Sequence, residues 1–186
     1  MTRIQPLPFG EWDPDAISVV APGRQLGPSN VLGLFANHPA LAKAFLGYNA
    51  YLLSRASTIP PHTREAAILR VAWRRRCRYE WAQHVQIARR AGVSDEEIAA
   101  IRAGDTDDER VGQIIAAVDE LDAHSTLSDE TYQALAGKLN DRQLMDLVFT
   151  IGTYGLLAMA FNAFGLDLDP GLSDEGFGST DRSTEQ

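Results

Sequence analysis

The stretch REAAILRVAWRRRCRYEWAQHVQIARRAG, residues 64–92, decides how this chain folds and where its chemistry lies. It contains no proline and no glycine before Gly92, and its apolar residues recur at the three- and four-residue spacing of a helix. Cys77, Glu80 and His84 are three and four positions apart, so they share one helix face. A thiol, a carboxylate and an imidazole on one face predict a site of chemistry rather than a plain packing surface.

The same residues carry a family resemblance. The spacing Glu65-x11-Cys77-x2-Glu80-x3-His84 resembles the motif of the carboxymuconolactone decarboxylase and alkylhydroperoxidase D superfamily. The peroxidase branch of that superfamily has a second cysteine where this chain has Glu80. The string YEWAQH is similar to the form in decarboxylase-like members that lack the cysteine pair. The resemblance implies an all-α, alkylhydroperoxidase D-like helical bundle whose subunits associate as dimers, trimers or hexamers.

The helical pattern and the resemblance differ over residues 65–91. The pattern alone predicts one long helix, because nothing in the stretch interrupts the apolar rhythm. The resemblance implies two helices with a turn just before the cysteine, and the run Arg74 to Arg76 is the place for it. We predict the break.

The rest of the chain divides into an arm, a domain and a tail. Residues 1–27 hold four prolines and are predicted to form an extended N-terminal arm. Residues 28–170 show no strand alternation and carry helix-capping signals, so we predict an all-helical domain. The signals are Ser94-x-x-Glu97, Thr106-x-x-Glu109 and Asn140-x-x-Gln143. Residues 171–186 are predicted to be a flexible acidic tail.

Composition excludes several classes of partner. The net charge of -8 repels phosphate backbones, so nucleic acid is not expected to bind. The uncharged stretch 147–166 is long enough to span a bilayer, but Asp146 and Asp167 bracket it and Gly152 and Asn162 interrupt it. We interpret it as soluble core. A single cysteine and a polar N-terminus predict a cytoplasmic protein, and the apolar last helix and arm predict a homo-oligomer.

Acid–base chemistry is the leading prediction for the site. An imidazole can take and return a proton during one turnover, and Glu80 or Glu65 can orient the ring of His84 or raise its basicity. With the resemblance, this predicts a cofactor-free lyase that moves protons in a decarboxylation or isomerisation. The substrate implied is a small molecule bearing a carboxylate or a lactone. A histidine bonded only for structure remains the alternative.

Cys77 is the basis of a second interpretation, in which the thiol carries the chemistry. At a helix N-terminus beside Arg76 and Arg78, its thiolate would be stabilised and its pKa lowered. A thiol-dependent peroxidase or reductase centred on Cys77 is therefore an alternative, although the family's peroxidase cycle uses two cysteines. The interpretation that we favour is that Cys77 is a small apolar residue at a helix contact. A non-catalytic, ligand-binding family member is the third possibility.

The remaining predictions concern binding groups. Glu80 and His84 can supply two metal ligands, but the two-histidine zinc signature is absent, so we predict no metal and no cofactor. Arg70 is a candidate for a bidentate clamp on a substrate carboxylate. Tyr79, Trp81 and Tyr154 are predicted to shape an apolar pocket, although aromatic residues at helical spacing also serve as core.

Overall fold

The chain folds into helices joined by short connections. The computed structural model describes residues 1–20, 26–174 and 176–177, and all regular structure in these ranges is helical, which confirms the predicted all-α class. The helices are α1 (Pro14–Ile17), α2 (Asn30–Ala36), α3 (Pro39–Leu53), α4 (Pro61–Arg74), α5 (Arg78–Arg90), α6 (Asp95–Ala103), α7 (Glu109–His124), α8 (Asp129–Ala136) and α9 (Asp141–Phe164).

Helix α4 lies at the centre of the bundle. It packs against α5, α6, α7 and α9, and every residue from Thr63 to Ala72 is buried. A helix surrounded on all sides must find partners for its polar side chains inside the protein. Arg64, Glu65 and Arg70 are therefore the residues whose bonding decides what this helix does.

The predicted break between α4 and α5 is present. Arg76 has a φ of 54°, a left-handed conformation that a non-glycine residue rarely adopts. The amide of Cys77 donates to the carbonyl oxygen of Ala72 at 2.8 Å, which closes the end of α4. Helix α5 then starts at Arg78 and packs along α4, which brings His84 beside Glu65.

The N-terminal arm differs from the predicted extended segment over its described part. Asp13 accepts a hydrogen bond from the amide of Asp15, and Pro14 has the fixed φ that suits a first helical turn, so α1 forms. Short 3-10 turns flank it at Phe9–Glu11 and Ser18–Val20. Ala16 and Ile17 are buried against α2 and α3. Residues 21–25 of the predicted arm, and most of the predicted tail, lie outside the described residues.

Two of the three predicted capping boxes form at the N-termini of α6 and α9. At α7 the cap is instead Asp108, whose carboxylate accepts a hydrogen bond from the amide of Val111 at 3.0 Å. The Thr106 hydroxyl oxygen accepts a hydrogen bond from the amide of Asp108 rather than from the helix, because Asp108 lies two positions closer to the first turn.

Helix α9 is long and apolar enough to cross a membrane by length and composition alone. Within the protein, 56% of its most apolar window is buried. Its inner face packs against the central helix α4, and this is consistent with the interpretation of α9 as the core helix of a soluble protein.

Candidate active site

A cavity of about 350 Å³ lies between α2, α3, α5 and α9. Its walls are mainly leucine, valine, isoleucine and phenylalanine side chains. Seven polar residues also line it, namely Ser29, Asn49, Tyr79, Glu80, Gln83, His84 and Tyr154. An apolar cavity with a few convergent polar groups is typical of a small-molecule site.

His84 is held by a carboxylate from the neighbouring helix. Its Nδ1 lies 2.7 Å from Oε2 of Glu65, and Glu65 is completely buried behind it. The other carboxylate oxygen, Oε1, accepts a hydrogen bond from Nε of Arg64 at 3.1 Å. Burial alone raises the pKa of Glu65, but the neighbouring His84 and Arg64 outweigh it and lower that pKa below its usual value. Glu65 is therefore ionised.

An ionised Glu65 fixes which imidazole nitrogen carries the proton. A carboxylate only accepts hydrogen bonds, so Nδ1 of His84 must donate to it. In the neutral ring, Nε2 is then the acceptor, and no group within the described ranges bonds to it. Because His84 lines the cavity, its basic nitrogen is available to a bound molecule.

Glu80 is buried like Glu65 but lacks the charged partners that keep Glu65 ionised. It is 2% exposed, and neither carboxyl oxygen has a hydrogen-bond partner among the described residues. Burial raises the pKa of Glu80 well above its usual value, and the nearby Cys77 thiol offsets this only in part. Glu80 is a neutral carboxylic acid that lines the same cavity as His84. It does not bond to His84, so the orientation of the ring is the work of Glu65.

Tyr154 packs edge-on against the imidazole of His84. The ring centroids are 4.9 Å apart and the ring planes are inclined at 87°. Burial, followed by the charge of Glu65, raises the pKa of Tyr154 well above its usual value, so its hydroxyl remains a hydrogen-bond donor. Asn49 approaches this hydroxyl from α3, but the side-chain oxygen of Asn49 is buried without a partner.

Tyr79 and Gln83 form a fixed part of the wall. The Tyr79 hydroxyl donates to Oδ2 of Asp169 at 3.0 Å, and Nε2 of Gln83 donates to the same oxygen at 2.6 Å. Oδ1 of Asp169 accepts a hydrogen bond from the amide of Asn30 at 2.6 Å. Asp169 therefore ties the start of α2 to α5 at the edge of the cavity, and the polar groups of Tyr79 and Gln83 are already engaged.

Cys77 lies outside the cavity and is fully buried. Burial raises the pKa of its thiol, in contrast to the lowered pKa predicted from its place at a helix N-terminus. The physical reason is that loss of water costs the thiolate more than the helix dipole and the neighbouring arginines return.

Two predicted binding residues lie elsewhere. Trp81 packs on Trp73 and Phe177, with ring centroids 5.2 Å and 6.0 Å away, and does not line the His84 cavity. Arg70 makes two hydrogen bonds to Asp119 and donates to backbone carbonyls at the end of α6. Its guanidinium is engaged inside the bundle and is not placed to clamp a substrate. Trp81 follows Glu80 by one position, roughly 100° around the helix axis, and it turns toward Trp73 on α4 rather than into the cavity.

Sequence reasoning missed Arg64 and Asn49. Arg64 is adjacent to Glu65 in the sequence, but only the structure shows that it turns inward to the same carboxylate. Asn49 had a detectable signal, since Ala42, Leu46, Asn49 and Leu52 form the buried stripe of α3. An amide inside an apolar stripe predicts a special environment. Within the described ranges, no cluster of His, Cys, Asp and Glu side chains has a metal-binding arrangement.

Comparisons with known proteins agree with this fold. Residues 39–123 match the model of the Carboxymuconolactone decarboxylase family. Among solved structures, an uncharacterized peroxidase-related protein from Silicibacter sp. TM1040 is similar, with a TM-score of 0.68 and 16% sequence identity over 76% of each chain. No curated protein matches the sequence significantly. At this identity the solved structure supports the fold and nothing finer.

Proposed function

Since residues 39–123 carry a domain of the carboxymuconolactone decarboxylase family, we propose that the chain is a cofactor-free acid–base enzyme acting on a small molecule. The observation that carries the proposal is the 2.7 Å contact between His84 and Glu65 at the wall of the cavity. An imidazole oriented by a buried carboxylate, with its second nitrogen facing a binding site, is the arrangement of a general base.

The two carboxyl groups have opposite roles in this proposal. Glu65 is ionised and stabilises the imidazolium that forms when Nε2 of His84 takes a proton from the substrate. Glu80 is neutral and donates a hydrogen bond or a proton to the oxygen or carbon on which charge develops. Two carboxyl groups whose surroundings push their pKa values apart are the usual basis for dividing acid and base functions. Decarboxylation and isomerisation both use such a pair.

The family resemblance suggests a substrate with a carboxylate or a lactone. No lysine or arginine lines the described part of the cavity, because Arg64 bonds to Glu65 and Arg70 bonds to Asp119. A neutral lactone or ketone carbonyl therefore suits the cavity better than a free carboxylate.

The proposal leaves Cys77 out of the chemistry. Peroxidase chemistry of the two-cysteine type needs a partner thiol, and this chain has one cysteine, which is fully buried. The word peroxidase in the description of the similar Silicibacter protein belongs to that protein. A ligand-binding protein without turnover is the remaining alternative, and the experiment below separates all three.

The test follows exchange of carbon-bound hydrogen in D₂O by NMR, with a panel of neutral lactones, ketones and β-keto acids. We expect His84→Gln to lower the rate on any accepted compound by about a hundredfold or more, since general acid–base groups contribute roughly 10²–10⁴ in rate. Glu65→Gln is expected to act in the same direction, because it removes the charge that holds the ring. Cys77→Ser is expected to stay within about threefold of the wild type.

His124→Gln is the matched control, because His124 is exposed at the end of α7 and far along the chain from the site. Equal rates for His84→Gln and His124→Gln would contradict the acid–base proposal. Loss of activity in Cys77→Ser alone would favour the thiol enzyme. Tight binding of panel members without any exchange or decarboxylation would favour the non-catalytic interpretation.

A further inference from the structure

Two buried polar groups at the cavity have no hydrogen-bond partner among the described residues. They are the side-chain oxygen of Asn49 and both carboxyl oxygens of Glu80. Asn49 is 8% exposed and Glu80 is 2% exposed, and both line the His84 cavity. Leaving a buried polar group unpaired costs folding stability, so a protein that does so at a cavity has groups to offer a bound molecule.

The chemistry of these groups determines which ligand groups can form hydrogen bonds with them. The Asn49 carbonyl oxygen only accepts hydrogen bonds, and a neutral carboxyl group accepts at its carbonyl oxygen as well as donating once. Nε2 of His84 is a third acceptor, because Glu65 holds the proton of the ring on Nδ1. The residues that carry these acceptors line a cavity whose remaining walls are mainly apolar, and the polar groups of Gln83 and Tyr79 are bonded to Asp169.

The charges around the cavity disfavour an anion. A carboxylate bound here would lose its hydration and meet the oxygens of Asn49 and Glu80, with no arginine or lysine among the described lining residues to balance it. The nearest buried cation, Arg64, already bonds to Glu65 and approaches the Leu52 carbonyl oxygen at 3.5 Å. Burying an uncompensated charge costs far more than burying a neutral hydroxyl.

We propose that the substrate is a neutral molecule with an apolar body and at least one hydroxyl or N–H group. This group donates a hydrogen bond that the oxygens of Asn49 and Glu80 accept. Asn49 is then a specificity-determining residue that nothing in the family motif predicts. The inference rests on the proposed function only in taking this cavity as the substrate site. It narrows the substrate class to neutral compounds that carry a hydrogen-bond donor, and it therefore favours isomerisation over decarboxylation, which needs a carboxylate.

The test compares three compounds of matched shape on the full-length protein, namely benzyl alcohol, toluene and benzoate. Binding is measured by saturation-transfer NMR titration at neutral pH. Benzyl alcohol adds one donor to the toluene skeleton, and benzoate replaces that donor with a charge. We expect benzyl alcohol to bind about three- to tenfold more tightly than toluene, as one net hydrogen bond supplies, and benzoate to bind at least about tenfold more weakly than benzyl alcohol.

Asn49→Leu tests whether the side-chain oxygen of Asn49 accepts the hydrogen bond from the hydroxyl of benzyl alcohol. The substitution replaces the unpaired oxygen and the amide nitrogen beside it with two methyl groups of similar size, so toluene affinity is expected to stay the same while benzyl alcohol affinity falls about three- to tenfold. Gln133→Leu is the control, because it removes an exposed amide on α8. The order of the three compounds on the wild type tests the proposal even if Asn49→Leu does not fold.

Three results would overturn the inference. Benzoate binding as tightly as benzyl alcohol would show that the cavity accepts anions. Equal affinities for benzyl alcohol and toluene, or no effect of Asn49→Leu on the alcohol, would show that the unpaired oxygens do not receive a donor. Failure of all three compounds to bind would show that the cavity is not a ligand site. This test measures binding and not turnover, so its failure is distinguishable from failure of the proposed function. The expected order of the three compounds can fail while the His84 variants still lose turnover. The order can also hold while the His84 variants keep their turnover.

Discussion

At the scale of single residues, the contrast between Glu65 and Glu80 organises the site. Both are buried glutamates on adjacent helices, yet Glu65 is bonded to His84 and Arg64 whereas Glu80 is bonded to neither. Burial acts on both in the same direction, so the difference in ionisation comes from the charged partners that only Glu65 has.

Replacing Glu80 tests this contrast through stability. A carboxyl group whose pKa is raised in the folded state takes up a proton on folding, so its contribution to stability falls as the pH rises above its ordinary pKa of 4.5. Glu80→Gln is neutral at every pH and lacks this penalty. We expect it to match the wild type near about pH 5 and to become increasingly more stable toward about pH 8, by at most about 1.4 kcal/mol per pH unit.

Urea unfolding of both proteins across this pH range measures the difference. Glu65 does not disturb this comparison, since its lowered pKa makes both proteins lose stability only as the pH falls through that pKa, below the range compared. A constant difference between Glu80→Gln and the wild type from about pH 5 to about pH 8 would mean that Glu80 is not protonated by burial.

The sequence predicted which residues belong to the candidate site better than it predicted their burial and their hydrogen-bond partners. The family resemblance, rather than the spacing, implied that Glu65 lies on a different helix from Glu80 and His84, and neither of them tells which carboxylate reaches the ring. Sequence reasoning also misjudged the pKa of the Cys77 thiol, because the effects of a helix N-terminus are local and readable whereas complete burial depends on distant elements. Asn49 was missed for the same reason, since its partners and its cavity come from α2, α5 and α9.

At the scale of elements, the break between α4 and α5 makes the site possible. An unbroken helix would carry Glu65 and His84 nineteen positions apart along one axis, roughly 28 Å at 1.5 Å per residue. The left-handed turn at Arg76 folds α5 back along α4 and brings the two side chains into contact. The apolar periodicity did not reveal this turn, because the rhythm continues through it; the family motif did.

Arg70 provides a prediction at this scale, because it joins three helices. From α4 it bonds to Asp119 on α7 with distances of 2.7 Å and 2.6 Å, and to the carbonyl oxygens of Ile101 and Arg102 on α6. Lysine cannot reproduce the two parallel bonds or reach all of these acceptors. We expect Arg70→Lys to lower the free energy of unfolding by about 1–3 kcal/mol while ligand affinity at the His84 cavity stays unchanged.

Arg78→Lys is the matched control for Arg70→Lys. The side chain of Arg78 is 60% exposed in its ion pair with Asp174, and exposed pairs contribute little. Denaturant unfolding and the benzyl alcohol titration together separate the two roles of Arg70. A large loss of ligand affinity with little change in stability would restore it as a binding residue.

At the scale of the whole molecule, the all-helical bundle followed from the sequence because capping signals and periodicity are local. The apolar outer surface of α9 depends on the folded protein, and the sequence showed only that the helix is apolar. Met145, Phe149, Leu156 and Met159 lie along the outer side of this helix and are each about half exposed. With Gly152 between them, they recur at alternating four- and three-residue steps, the spacing of a seam between packed helices.

We propose that this seam joins copies of the chain into a homo-oligomer, and Leu156→Glu tests it. The substitution places a charge at the centre of the seam, where a packed partner helix would have to bury it, so association should weaken by a hundredfold or more, equivalent to about 3 kcal/mol. Light scattering after size-exclusion chromatography is expected to show an oligomer for the wild type and a monomer for the variant. Leu41→Glu is the control, since Leu41 is equally exposed on α3 away from the seam. A wild-type monomer at micromolar concentration, or an oligomer that survives Leu156→Glu, would contradict the seam.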